Sequence, residues 1–189
     1  YAQWQTRTFT VSFSSNGGSA VEPITQPYGA LITKPTNPTR IGYTFVAWYK
    51  EGGLTNEWNF SVDTVPAENI TLYAKWKINQ YTITFQSNGG TTVSAITKNY
   101  NEAVTKPADP TMIGHSFDDW YTDNTTFNNK YTFGTMPAQN ITLYAKWNIN
   151  QYTITFQSNG GTTVSAITKN YNEAVTKPAD PTMIGHSFD

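Results

Sequence analysis

The side chains best suited to chemistry are two histidines, His115 and His186, and the carboxylates Asp118, Asp119 and Asp123. An imidazole that titrates near neutral pH can serve as a general base, a proton shuttle or a metal ligand. Closely spaced carboxylates offer hard oxygen ligands to Ca2+ or Mg2+. Neither reading survives comparison along the chain. His115 and His186 are one position of a repeating unit, and the preceding unit carries Tyr43 there. Asp118-Asp119 answers to Val46-Ala47 and Asp123 to Glu51, and no EF-hand spacing is present. Serines are many, but no Gly-x-Ser-x-Gly elbow occurs, and neither histidine has a plausible partner to orient it. Asn-Gly-Gly at 16–18 and 88–90 leads into apolar, strand-like residues and not into a helix, so a phosphate cradle is excluded. No catalytic, cofactor-binding or metal-binding residue emerges, no cofactor is implied, and the chain reads as non-enzymatic.

Composition narrows the class further. The chain has 189 residues, 12 Lys+Arg against 13 Asp+Glu, and a formal net charge of −1. Such a chain has no general field to hold nucleic acid or an anionic membrane surface. The absence of cysteine excludes disulfide staples, thiolate catalysis and zinc-finger sites. No stretch approaches the roughly 20 apolar residues that span a bilayer, and no signal peptide opens the chain. Aromatic residues make up 15% of the chain, which excludes a disordered tail. The chain folds.

Self-similarity sets the organisation. Residues 78–118 and 149–189 are identical over 41 positions at a spacing of 71, and the first part of the chain is a diverged copy. Lys34-Pro35 answers to Lys106-Pro107 and Trp48-Tyr49 to Trp120-Tyr121; Asn69-Ile70-Thr71-Leu72-Tyr73-Ala74-Lys75-Trp76 recurs at 140–147. Tyr1-Ala2-Gln3-Trp4 matches the end of that last block. The expected units are therefore 1–4, the closing strand of a preceding repeat; 5–76, repeat one; 77–147, repeat two; and 148–189, the N-terminal half of repeat three. This arrangement suggests a window cut from a longer array.

Within a unit, period-two alternation predicts strands at Thr8–Ser14, Gln80–Gln86 and Ile70–Trp76. Asn-Gly-Gly predicts a tight reversal with positive φ. A second extended run, Val21 to Ile32, leads into a proline-bearing crossover at Lys34–Thr39. Ile41–Tyr49 is ambiguous: Phe45, Trp48 and Tyr49 fit a helical turn, whereas Tyr43, Phe45, Ala47 and Tyr49 fit a strand. We expect a short helical turn near Pro38–Gly42 followed by extended chain. Trp48 and Trp120 are expected in the core; Trp58, which Tyr131 replaces, and Phe127 are the aromatics that an exposed sugar platform would use.

The ordered blocks Asn-Gly-Gly, Lys-Pro…Pro-Thr, Gly-Tyr/His-x-Phe-x-x-Trp-Tyr and Ala-x-Asn-Ile-Thr-Leu-Tyr-Ala-Lys-Trp resemble the Listeria–Bacteroides repeat, the B-repeat of internalin-type surface proteins. The resemblance covers essentially the whole chain. It implies a mainly β, α+β fold of tandem β-grasp (ubiquitin-like) units of about 71–72 residues with little helix, in secreted or cell-wall-attached bacterial proteins. It carries no catalytic set. The glycine usual before the signature Trp is Ala47 here and Asp119 in the second unit.

Two further features bear on function. The loop Lys50–Glu57 becomes the longer Thr122–Lys130, and variable loops on a fixed scaffold are where binding surfaces usually sit. Asn59, Asn69, Asn124 and Asn140 fall in Asn-x-Ser/Thr sequons, a common chance pattern. The linkers 77–80 and 148–151 lack any Gly, Ser or Pro run, so successive units should touch, with Ile78 and Ile149 packing at the junction. The expected partners are neighbouring repeats of the same chain, other copies of it, and host or cell-surface proteins; nucleic acid and membrane insertion are not expected. The ranking of functions is an extracellular stalk or spacer first, a self-assembling filament second, and a glycan-binding module third.

Overall fold

The computed structural model describes Tyr1–Asp189, built of strands, turns and extended connections without a helix. The strands are β1 (Thr8–Ser14), β2 (Ile24–Pro27), β3 (Tyr43–Tyr49), β4 (Ile70–Ile78), β5 (Gln80–Gln86), β6 (Ile96–Asn99), β7 (His115–Tyr121), β8 (Ile141–Ile149), β9 (Gln151–Ile154) and β10 (Ile167–Asn170). They form a four-stranded sheet in the order β2-β1-β4-β3, a second in the order β6-β5-β8-β7, and a two-stranded sheet of β9 and β10. In the first sheet β1 and β4 are parallel, Val11 to Ser14 opposite Ile70 to Tyr73, and both outer pairs are antiparallel. In the second, β5 and β8 are parallel through Ile83↔Ile141 to Gln86↔Tyr144.

The residues cluster into two compact units. One comprises Tyr1–Thr82, Thr97–Val104 and Gly134–Asn140; the other comprises Ile83–Ile96, Thr105–Phe133 and Ile141–Asp189. In the first, alternation along β1 and β4 turns Val11, Leu72 and Ala74 inward, where they bury with Ile32, Trp48, Trp58 and Val65. Phe13 meets Trp48 edge-on at 4.8 Å, and Phe45 touches both Trp48 (5.4 Å) and Trp76 (5.5 Å). The second unit repeats the pattern. Phe85 lies 4.8 Å from Trp120, Phe117 lies 5.4 Å from both Trp120 and Trp147, and Ile83, Leu143 and Ala145 bury beside them. Trp48 and Trp120 are 1% and 0% exposed, so both are core residues as their block predicts.

Side chains three apart normally face opposite sides of a strand. Phe45 and Trp48 nevertheless reach the same core because the pairing to β4 slips between Phe45 and Ala47. Phe45 faces Trp76 and Trp48 faces Ala74, so one extra residue is absorbed as a bulge that leaves Val46 exposed. The same slip lies between Phe117 and Trp120. This is the physical source of the mixed helix-and-strand periodicity.

The reversal after β1 has Asn16 at φ 47° and Gly17 at φ 87°, and Gly18 N–H donates to Ser15 O at 3.0 Å, as the Asn-Gly-Gly signal predicts. The Trp76 indole crosses the next position: its N–H donates to Ser15 O at 2.8 Å, and any Cβ at Gly18 would overlap the ring. Two expectations change. No helical turn forms near Pro38–Gly42; Tyr43 N–H donates to Arg40 O at 3.1 Å in a tight β-turn with Gly42 at φ 77°. A helix there would need Gly42 at negative φ and would lose the start of β3. The extended run from Val21 to Ile32 is also broken. Pro27 ends β2, and the chain turns at Tyr28-Gly29 so that Leu31 can bridge Thr64.

Candidate functional site

A feature that recurs with nearly constant geometry is a joint built on a glycine, an asparagine and a tyrosine. β4 runs through Asn79 directly into β5. Asn79 N–H donates to Gly42 O at 2.9 Å, and Asn79 O accepts the N–H of Tyr100 at 2.8 Å. These three residues belong to the first compact unit. The Tyr100 ring lies over Gly42 so closely that a Cβ there would fall inside the ring, and Tyr43 meets it edge-on at 6.1 Å. Glycine is required twice over, for the positive φ and for the contact. The Asn79 side chain accepts the Thr44 hydroxyl at 2.7 Å. The start of β3, the end of β4 and the end of β6 thus meet at one backbone relay.

The second unit holds the same joint. Asn150 N–H donates to Gly114 O at 2.9 Å, Tyr171 N–H donates to Asn150 O at 2.8 Å, and the Tyr171 ring covers Gly114. Ser116 supplies the hydroxyl to Asn150 at 2.6 Å, and His115 takes the place of Tyr43, 6.1 Å from Tyr171. His115 is therefore an aromatic partner of the joint; its Nδ1 lies 3.0 Å from the carbonyl of Ile113. His186 Nδ1 makes the equivalent contact to Ile184 O at 3.1 Å. Ile78 and Ile149, each the last residue of its strand, are 37% and 47% exposed.

The acidic residues are occupied elsewhere. Asp119 bonds Lys130 at 2.7 Å and Lys106 at 3.3 Å; partial burial opposes its charge, but the hydrogen bonds from Lys130, the Trp120 N–H and Lys106 outweigh it and lower its pKa. Asp118 accepts the Tyr121 hydroxyl at 2.7 Å. Asp123 Oδ1 accepts the Thr126 hydroxyl at 2.8 Å and the N–H groups of Thr126 (2.7 Å) and Phe127 (2.8 Å), which holds its carboxyl far below the usual range. Glu51 does the same in the first unit. Its Oε1 takes the Thr55 hydroxyl at 2.6 Å and the N–H groups of Asn56 and Thr55, which bring its pKa down to about 2. The variable loops are thus closed by a carboxylate, around Leu54 at φ 55° and Phe127 at φ 50°. The three aspartates do not converge on one point. Trp58 is 5% exposed, so it forms no open sugar platform. Asn69 Oδ1 accepts Thr10 N–H at 2.8 Å and Asn140 Oδ1 accepts Thr82 N–H at 2.9 Å, giving these sequon residues a structural use.

The chain is all-β, and the same sheet order, the same bulge and the same joint occur in it twice. The Listeria–Bacteroides repeat domain matches residues 9–75, 81–146 and 152–189, and the chain belongs to that family. It is 44% identical over 189 residues, all of its length, to a protein of Evansella cellulosilytica described as a membrane protein, of which it covers 28%. It is 41% identical over 162 residues, 75% of its length, to Internalin H of Listeria monocytogenes, again covering 28% of that protein. The chain spans about a quarter of the length of these relatives.

Proposed function

We propose that this chain is a non-enzymatic segment of a bacterial cell-surface protein and acts as a semi-rigid stalk or spacer. The observation that carries the reading is the joint. Asn79 and Asn150 each bind a glycine carbonyl on one side and a tyrosine N–H on the other, with distances that repeat to within 0.1 Å. A flexible tether would leave those backbone groups to water. Membership in a repeat family shared with an internalin and with a protein described as a membrane protein supports a surface location. The β-grasp reading draws support from the central parallel pair with antiparallel flanks, although an extended, proline-bearing segment crosses where a helix would lie in that fold.

The test is 15N relaxation on the full chain. A single anisotropic correlation time from residues 8 to 149, with ordered amides at Asn79 and Asn150, is the expected result. Independent tumbling on either side of Asn79 would rule out a stalk made stiff by these joints.

A further inference from the structure

The turn after each opening strand carries a step at which the chain can modify itself. Three Asn-Gly steps occur, at 16–17, 88–89 and 159–160, each within Ser-Asn-Gly-Gly. In such a step the glycine nitrogen can attack the asparagine Cγ, because a residue without Cβ leaves that nitrogen open. The nitrogen gives its proton to hydroxide, a new C–N bond closes a five-membered succinimide, and the side-chain nitrogen leaves as ammonia. Water then opens either carbonyl, giving aspartate or isoaspartate. The attack needs the asparagine side chain to swing towards the glycine nitrogen.

Asn16 and Asn88 are held against that swing. Asn16 Nδ2 donates to Ala74 O at 2.7 Å, and Asn88 Nδ2 donates to Ala145 O at 2.8 Å. A carbonyl only accepts, so the amide nitrogen must face it. Ala74 and Ala145 lie in β4 and β8, each 1% exposed. Asn16 Oδ1 also accepts the Ser14 hydroxyl at 3.1 Å, and Asn88 Nδ2 meets Asn124 Oδ1 at 2.8 Å. Both asparagines are otherwise exposed, so water and hydroxide reach them.

We propose that Asn16 and Asn88 are self-modification sites locked by the closing strand of their own sheet, and that release of β4 or β8 commits the opened sheet to an irreversible change. Aspartate at position 16 has no N–H for Ala74 O and sets a carboxylate against that carbonyl. Isoaspartate lengthens the backbone of the turn by one atom. In either case the closing strand returns to a weaker site.

Asn159 supplies an internal standard. It has the same turn, at φ 45° against 47° and 48°, with no closing strand beside β9. The full chain is aged in mildly alkaline buffer, with and without guanidinium chloride, and each site is followed by peptide mapping for ammonia loss and isoaspartate. In the folded chain Asn16 and Asn88 should convert about tenfold or more slowly than Asn159, since the reaction must await local opening. In denaturant the three rates should converge. Trp76→Ala, which strips the indole from Gly18 and Ser15, should speed Asn16 relative to Asn88, whether or not the first sheet still closes. Asn16→Asp should lower the urea midpoint, whereas Asn159→Asp should not. Equal rates in the folded chain, rates that stay apart in denaturant, an Asn16 rate unmoved by Trp76→Ala, or an unchanged midpoint in Asn16→Asp would overturn the proposal.

Discussion

Replacing Gly42 by Ala tests the joint at its most constrained atom. Two costs are built into the position. The residue sits at φ 77°, and an L side chain in the left-handed region costs about 1–2 kcal/mol. The new methyl must also displace the Tyr100 ring, which forfeits an edge-on contact with Tyr43 worth about 0.5–1.5 kcal/mol. Together these give about 1.5–3.5 kcal/mol, roughly a 10- to 300-fold change in a local opening equilibrium at 1.4 kcal/mol per factor of ten. The assay is native-state hydrogen exchange at the Asn79 and Tyr100 amides, which donate to Gly42 O and Asn79 O. Their protection should fall by that factor while the Leu72 amide in the centre of the sheet holds. In a Tyr100→Ala background the same substitution should cost only the backbone part. Gly185→Ala supplies a control with the same φ and no ring above it. Unchanged protection in Gly42→Ala, or an equal cost with and without the Tyr100 ring, would refute the reasoning.

Other outcomes follow from the same geometry. Trp48→Ala empties the centre of the first core and should cost about 3–5 kcal/mol in urea denaturation; a cost under 1 kcal/mol would mean that the aromatic cluster does not organise it. Asn69→Ala removes the acceptor of Thr10 N–H and should cost about 0.5–1.5 kcal/mol, with faster exchange at Thr10 and none of the effect at Thr82, which Asn140 serves. Glu51 should titrate at about 2 by carboxyl 13C NMR, below its ordinary 4.5. Because the folded value is the lower one, its loop contacts stabilise fully above 4.5 and are lost as pH falls towards 2. A midpoint at 4.5 would mean that the Thr55 and Asn56 bonds do not persist in solution. Asp119→Ala, which installs the residue found at position 47, should leave β7 in place and free the Lys130 ammonium, visible as restored mobility, while Lys106 stays held by Asp109.

The strands with clean alternation, β1, β4 and β5, were legible because one face of each packs on a core and the other meets water. Core placement of Trp48 and Trp120 was legible from the size of those side chains. The segment around Trp48 was not, because a bulge inserts one residue between Phe45 and Trp48 and erases the period that would declare a strand. The turn at Arg40–Tyr43 read as helix because proline and glycine mark any change of direction. The joint escaped because its chemistry is mainly backbone hydrogen bonding, invisible in side-chain types; the one available clue was the pairing of Gly-Tyr or Gly-His with a later Tyr in each copy. Glu51 and Asp123 escaped for a related reason: a carboxylate that caps amides looks in sequence like one that binds a cation.

The parallel pairing at the middle of each sheet bears on how such a chain comes to be folded. Residues 80–86 and 151–157 are identical in sequence, yet the first is a seven-residue strand with Ile83 fully buried, while the second ends at Ile154, which is 41% exposed. The difference is β8, which lies against the second half of β5 and has no counterpart on β9. Each opening strand must therefore wait, during synthesis, for a closing strand made about 60 residues later, and loops of that length close late in folding. β8 runs on through the single residue Asn150 into the next copy of the opening strand, and a parallel partner cannot be reached across so short a connection, so β8 can pair in this way only with the opening strand already made. Identical copies of that strand therefore do not compete for β8: the brevity of the connection fixes the pairing that the sequence identity leaves open.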